Sequence, residues 1–296
     1  MAMAGQWSLT TTGYTFIGKP VEEIRDICLA AGLSGIEAAP PLLQNLSDAD
    51  LEAFRRTFED AGLKITTFHL PFSADDDIAS FYNSQRETAV ATIEHWMKRA
   101  ALVGASIGIQ HPTTTGYDVA KEGLERYLGH IGQSLEALLP TAEKLGFTIA
   151  VENMLPRDGG RFCSLPEHFR CLSEKFDSPH LGFCLDTGHA LVALADNAPT
   201  MQDAMGDRLV AYHLADNAGD RDSHLAPGHG RVDWRTLFRQ AAAADYRGTM
   251  CIETPPWAAG PDYSRQAWKS MVDECRQLIA KAVDGSAMTN RGSVAF

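Results

Sequence analysis

The sequence predicts a single (β/α)8 barrel over residues 1–283, followed by a loose tail over 284–296. Short apolar runs recur eight times at intervals of about 27 to 42 residues, most followed by room for a helix. That rhythm suits a closed parallel barrel better than an open doubly wound sheet. The 296 residues, 45% hydrophobic and 22% charged, can bury one sizeable core, which matches a barrel of about 250 residues plus extensions. The later runs also end in side chains able to hold a metal, as a site at one mouth of a parallel barrel requires.

The first run is QWSLT near residue 8 and the second is SGIEAA at 34–39, which ends near Glu37. Between them Pro20 introduces VEEIRDICLAAG, closing at Gly32, because proline suits a helix start and glycine the residue after its end. Ser47, with Asp50 three residues on, has the spacing of a capping box and opens a helix that runs to Gly62. TTFHLP then ends at His69 and IGIQHP at His111, separated by the amphipathic ETAVATIEHWMKRAALVG. After LGHIGQSLEALLPTAEKLG come IAVENM with Glu152, FCLDTGH with Asp186 and His189, and VAYHLADN with His213. RDSHLAPGHG carries Asp222 and His224, and CIETPP carries Glu253. From about Asp284 the periodicity is lost, which predicts the tail.

Strand periodicity gives a second test, since residues two apart share a face. If the ligand-type positions face the barrel interior, Thr67, Ile109, Ala150, Cys184, Ala211 and Cys251 face it too, and all are small or apolar. Phe68, Val151, Leu185, Tyr212 and Ile252 then face the surrounding helices. Gln110 fits neither pattern.

Each polar residue alone has an ordinary explanation: a hydrogen-bonded histidine at a strand end, or a carboxylate in a cap or ion pair. Together they do not, because burying several carboxylates near one another without a cation costs about several kcal/mol each. The constellation therefore reads as a metalloenzyme site.

The net charge of −12 argues against a surface built to hold polyanions. Six cysteines without a CxxC pair favour reduced thiols, and no apolar run approaches the roughly 20 residues of a membrane span. A cytoplasmic protein with no membrane or nucleic-acid partner is expected. No Gly-rich run opening a helix announces a phosphate cradle, which favours an unphosphorylated substrate.

In VENM, CLDTGHA, HLADN, DSHLAPGHGRVDW and CIETP, in that order, the chain resembles the xylose isomerase-like TIM barrels. That superfamily includes sugar phosphate isomerases/epimerases, tagatose and psicose epimerases, inosose dehydratases and endonuclease IV. The resemblance covers residues from about 8 to 280. It implies one divalent cation, Mn²⁺ first with Mg²⁺, Co²⁺ or Zn²⁺ as alternatives, held by Glu152, Asp186, His213 and Glu253. It further implies a metal-stabilised enediolate of a ketose or oxo-sugar, with Glu152 and Glu253 as the acid/base pair.

On the same resemblance, His189 faces a substrate oxygen, and His69, His111, Asp222, His224 and Arg221 are further candidates for substrate contact. From their places at strand ends, Trp257 is a candidate to stack on a sugar, and Glu37 is a candidate to hydrogen-bond a distal hydroxyl or a histidine behind the substrate. Tyr14, Phe16 and Phe72 are candidate pocket walls. The tagatose-epimerase branch carries an arginine six residues past the histidine ligand, where this chain has Gly219, with Arg221 two further on. A homodimer is a family-level expectation.

Two other reactions fit the same residues. Expulsion of a hydroxyl, carbon dioxide or a glycosidic group from the enediolate would make the protein a lyase. The nine positions His69, His111, Glu152, Asp186, His189, His213, Asp222, His224 and Glu253 also match the three-zinc ligand set of endonuclease IV, a phosphodiesterase. The acidic balance and the absence of Arg/Lys-rich loop insertions weigh against gripping DNA. A non-catalytic binding module fits least, since the full set of ligands and bases is intact.

Overall fold

A computed structural model describes residues 7–114, 118–157, 160–195, 198–254 and 265–289, with side chains described as far as Val283. Its eight strands are β1 (Ser8–Thr12), β2 (Gly35–Glu37), β3 (Thr67–His69), β4 (Ile107–Gln110), β5 (Thr148–Glu152), β6 (Leu181–Asp186), β7 (Leu209–Leu214) and β8 (Thr249–Ile252). They form one parallel sheet in the order β2-β1-β8-β7-β6-β5-β4-β3. The two end strands meet through isolated parallel bridges. Ala38 N–H donates to the Thr67 carbonyl at 3.1 Å, and His69 N–H donates to the Ala38 carbonyl at 2.8 Å. The sheet is thus a closed (β/α)8 barrel, as the spacing of the apolar runs predicts.

Helices alternate with the strands: α1 (Val21–Ala31), α2 (Pro40–Leu43), α3 (Asp48–Glu59), α4 (Asn83–Leu102), α5 (Val119–Glu122), α6 (Leu124–Leu145), α7 (Pro166–Lys175), α8 (Thr187–Leu194), α9 (Ala198–Met205), α10 (Trp234–Ala243) and α11 (Arg265–Thr289). The cap signals are realised. Gly32 ends α1 in the left-handed region at φ 74°, and Ser47 and Asp50 close a reciprocal capping box on α3. The backbone of α11 runs on to Thr289, past the Asp284 boundary where the loss of periodicity predicts the tail. No described helix is long and apolar enough to cross a membrane. All six cysteines are free thiols, and all but Cys171 are buried.

The core divides as the period-two reading requires. Ile109, Ala150, Cys184 and Ala211 form a small cluster of their own inside the barrel, beneath the polar mouth. Phe68, Val151, Leu185, Tyr212 and Ile252 belong to the large cluster between strands and helices. Gln110 is buried, and its amide N–H donates to the His111 carbonyl at 2.9 Å.

The β6–β7 register shifts between Phe183, paired with Leu209, and Cys184, paired with Ala211. Such an extra residue is a bulge. It brings Asp186 level with His213 at the barrel mouth.

Candidate metal centre and active site

Parallel strands pack side by side with inward side chains in register, so ligand-type residues at the same strand end are forced together. His213 is at the centre. Its Nδ1 lies 2.9 Å from Glu152 Oε1 and 2.9 Å from Glu253 Oε2, while its Nε2 lies 3.1 and 3.2 Å from the two oxygens of Glu37. Glu152 Oε2 is 3.0 Å from His111 Nε2 and 3.9 Å from His69 Nε2. Glu152, Asp186, His213 and Glu253 place one ligand atom each within 4.8 Å of one another, as do His69, His111 and Glu152.

Asp186 is positioned by the strand-to-helix turn it caps. Its Oδ1 accepts the His189 backbone N–H at 2.7 Å at the start of α8. Its Oδ2 is buried with no hydrogen-bond partner, and Glu152 Oε2, though close to His111, is not aligned for a hydrogen bond. Orphaned carboxylate oxygens in a dry site are costly. A divalent cation among the four ligands would satisfy them.

A second chain of contacts joins the loop after β7. Asp222 Oδ2 lies 2.8 Å from His224 Nε2 and 3.4 Å from His189 Nε2. Three histidines of this site have one nitrogen pinned by a backbone carbonyl, which only accepts, so that nitrogen carries the proton. Nδ1–H of His69 donates to Leu70 at 2.9 Å, that of His189 to Asn153 at 2.8 Å, and that of His224 to Glu253 at 2.7 Å. Each leaves Nε2 facing a carboxylate.

Burial and mutual charge set the protonation pattern. Burial pushes Asp186 up to about 7, with the charges of Glu253 and Glu152 adding to the rise and His189 opposing it. Burial acts to raise Glu152 and Glu253, but the charges and hydrogen bonds of the surrounding histidines, His213 and His111 at Glu152 and His213 with His69 at Glu253, together outweigh it; Glu152 falls well below the usual carboxylate range and Glu253 falls to about 2. His189 rises to about 10 despite its burial because Asp186, Asp222 and Glu152 surround it. Burial lowers His111 and favours its neutral, ligand-competent form.

His69, His111, Glu152, His189, Asp222, His224 and Glu253 line a cavity of about 400 Å³, walled on one side by Tyr14 and Phe72, while Asp186 and His213 lie behind this lining. A larger hollow of about 590 Å³, between Leu209 and Gly248, lies at the opposite end of β7 and β8 and holds none of the histidines.

The chain as a whole has counterparts among known proteins. The family description "Xylose isomerase-like TIM barrel" matches residues 26–279. The chain belongs to that family. The 3-dehydro-D-guloside 4-epimerase of Escherichia coli (strain K12) is 25% identical over 75% of this chain and 82% of its own length. The fructoselysine 3-epimerase of Shigella flexneri is 26% identical over 54% of this chain and 60% of its own length. A crystal structure of a D-tagatose 3-epimerase-like protein superposes with a TM-score of 0.78 at 20% identity, covering 95% of this chain and 99% of that one, and shows a common fold.

In this xylose isomerase-like barrel, the structure brings together His69, His111, Glu152, Asp186, His189, His213, Asp222, His224 and Glu253. Glu37 is buried beside His213 and is not among the cavity-lining residues. Arg221 is exposed and the described cavity is lined without it. Trp257 falls outside the described residues. Phe16, expected as a pocket wall, is instead buried against Trp268 with ring centroids 5.6 Å apart, because the short 3₁₀ turn Gly13–Phe16 directs it under α11.

Sequence reasoning misses two residues that organise the site. Asn153, in VENM, brackets the backbone of Asp186. Asp216, in HLADN, gathers the loop that carries Asp222 and His224: its oxygens accept N–H groups of Asn217, Gly228, Val232 and the Trp234 indole. The only signal in the sequence is their adjacency to the motif residues.

Proposed function

We propose that the protein is a divalent-cation-dependent epimerase or isomerase of a ketose or related oxo-sugar. The carrying observation is that Glu152 and Glu253, from strands three places apart in the sheet, both reach His213 Nδ1 at 2.9 Å and both line the same cavity. Glu152, Asp186, His213 and Glu253 would hold the cation. Three carboxylates and one imidazole suit Mn²⁺ first, then Mg²⁺ or Co²⁺, and can hold Zn²⁺. Bound there, the cation supplies the positive charge that draws electrons toward a substrate carbonyl.

The remaining chemistry belongs to the chain. One glutamate takes the proton from the carbon beside the carbonyl; the C–H pair becomes the double bond of an enediolate and the carbonyl π pair moves to oxygen. His189, protonated and fixed through Nδ1, donates through Nε2 to the oxygen that gains charge. The other glutamate, which must enter the substrate complex protonated, gives that proton to the opposite face, which inverts the carbon, and exchange with solvent afterwards removes the proton from the first glutamate and restores it to the second. Tyr14 and Phe72 offer apolar faces to the ring. The epimerase activities in the names of the two relatives support this reading.

The test is incubation in deuterium oxide with free ketoses and keto-glycosides, with and without chelator. Cation-dependent deuterium uptake beside the carbonyl together with an epimeric product is expected. Uptake followed by loss of a β-substituent or carbon dioxide would reassign the protein as a lyase, and no uptake from any oxo-sugar would sink the proposal.

One observation favours a second reading. Asp222 Oδ2 stands 3.4 Å from His189 Nε2 and 2.8 Å from His224 Nε2, beside the two sets described above, and a three-zinc phosphodiesterase requires further ligands of these types. Metal analysis of protein purified without added metal separates the two: about one ion per chain supports the epimerase, and about three zinc ions would direct attention to phosphodiesters.

A further inference from the structure

His213 differs from its neighbours in what holds its outer nitrogen. His69, His189 and His224 each give Nδ1–H to a neutral backbone carbonyl and turn Nε2 toward a carboxylate. His213 is turned the other way, with Nδ1 toward Glu152 and Glu253 and Nε2 against both oxygens of Glu37 at 3.1 and 3.2 Å. The outer partner is therefore a carboxylate, carried by β2 three places along the strand order from β7, and only 1% exposed. A buried carboxylate is costly unless paired, and its pairing here is to the one histidine that the candidate cation set shares with both glutamates.

We propose that Glu37 is a positioning residue for the cation site: it accepts the Nε2–H of His213 and thereby makes Nδ1, which faces Glu152, Asp186 and Glu253, the nitrogen that yields its proton to a cation. This rests on reading those four residues as the cation site. When a cation displaces the proton from Nδ1, the ring keeps one proton, and an acceptor at 3.1 Å keeps that proton on Nε2. The negative charge of Glu37 also makes the ring a stronger donor. A neutral carbonyl, as at the other three histidines, would fix the orientation without adding that charge.

The experiment is calorimetric titration of chelator-treated wild type, Glu37→Gln and Glu37→Leu with Mn²⁺, joined to nitrogen-15 histidine NMR of the Zn²⁺-loaded proteins. Affinity is expected to fall about tenfold in Glu37→Gln and up to about a hundredfold in Glu37→Leu, the range for lost partners of metal-bound histidines, at unchanged stoichiometry. In wild type the His213 Nε2–H resonance lies far downfield, as for an imidazole-to-carboxylate bond, and it moves upfield in Glu37→Gln. Wild-type affinity in both variants overturns this proposal alone. So does the absence of the downfield proton in loaded wild type, a measurement that needs no variant to fold. Failure of wild type to bind Mn²⁺ or Zn²⁺ would remove the cation site itself, and the proposal with it.

Discussion

Asn153 grips the backbone of Asp186 at two points. Its Oδ1 accepts the Asp186 N–H at 2.7 Å, and its Nδ2 donates to the Asp186 carbonyl at 2.9 Å. Its own carbonyl takes Nδ1–H of His189 at 2.8 Å. One side chain at the end of β5 thus fixes where β6 delivers a carboxylate, and the same residue's backbone fixes which nitrogen of His189 faces the cavity. Asn153→Ala is expected to weaken Mn²⁺ binding by about tenfold or more and to cost about 1–3 kcal/mol of stability through two unpaired buried groups. Cation titration and urea unfolding measure the two effects.

Glu152→Gln and Glu253→Gln keep side-chain shape and remove the base. Each is expected to lower turnover by at least about 100-fold, the lower end for a lost acid/base group. If they serve opposite faces, one variant still exchanges the substrate proton with solvent while failing to form epimer. Exchange followed by proton NMR reads this, and wild-type turnover in either variant would refute the pair.

The pH dependence follows from Asp186, which burial pushes up to about 7. Its folded pKa lies above its unfolded value near 4, so between about 4 and 7 the folded form holds a proton that the unfolded chain has released. This group's contribution to the stability of cation-free protein is therefore lost as pH rises through that window. A cation needs the ionised carboxylate, so the Tm increase produced by saturating Mn²⁺ should be larger at pH 8 than at pH 5.5. Asp186→Asn should raise the Tm of cation-free protein at pH 8 and abolish the Mn²⁺ effect. Scanning calorimetry of both proteins at both pH values decides this.

Asp216 accepts four N–H groups, from Asn217, Gly228, Val232 and Trp234. Asp216→Ala leaves these donors without their buried acceptor and is expected to cost at least about 3 kcal/mol. Amide hydrogen exchange should rise first in the loop spanning Asp222 and His224, with β4 and β5 protected as before. Uniform loss of protection would mean that Asp216 supports the whole barrel instead.

Gly35 stands at the seam that closes the sheet. Its φ is +149°, and an added Cβ would come 1.7 Å from the Lys64 carbonyl oxygen. Gly35→Ala must therefore move β2 away from the Lys64 backbone, to which Gly35 is bridged. A loss of roughly 3 kcal/mol or more is expected, read as a fall in the midpoint of denaturant unfolding.

Local chemistry made much of this molecule legible in its sequence. Ser47 and Asp50 are three residues apart and make their capping box wherever the helix lies, and Gly32 supplies the left-handed residue at the end of α1. Alternation in β5, β6 and β7 put Ala150, Cys184 and Ala211 on one face with Glu152, Asp186 and His213, because side chains two apart cannot face opposite ways in a regular strand. The ligand types at the strand ends followed, since eight parallel strands open their C-terminal ends on one mouth. Partners and orientations were decided by the tertiary structure. Glu37 meets His213 across 176 positions of sequence, through the curvature of a closed sheet. Whether a histidine turns Nδ1 or Nε2 inward depends on which backbone carbonyl or carboxylate packing brings beside it, as Leu70, Asn153 and Glu253 do for three rings and Glu37 for the fourth. The β6–β7 register shift and the bridges between Ala38 and Phe68 that close the barrel also leave no periodic trace, because they arise from how one strand meets another and not from the pattern within either.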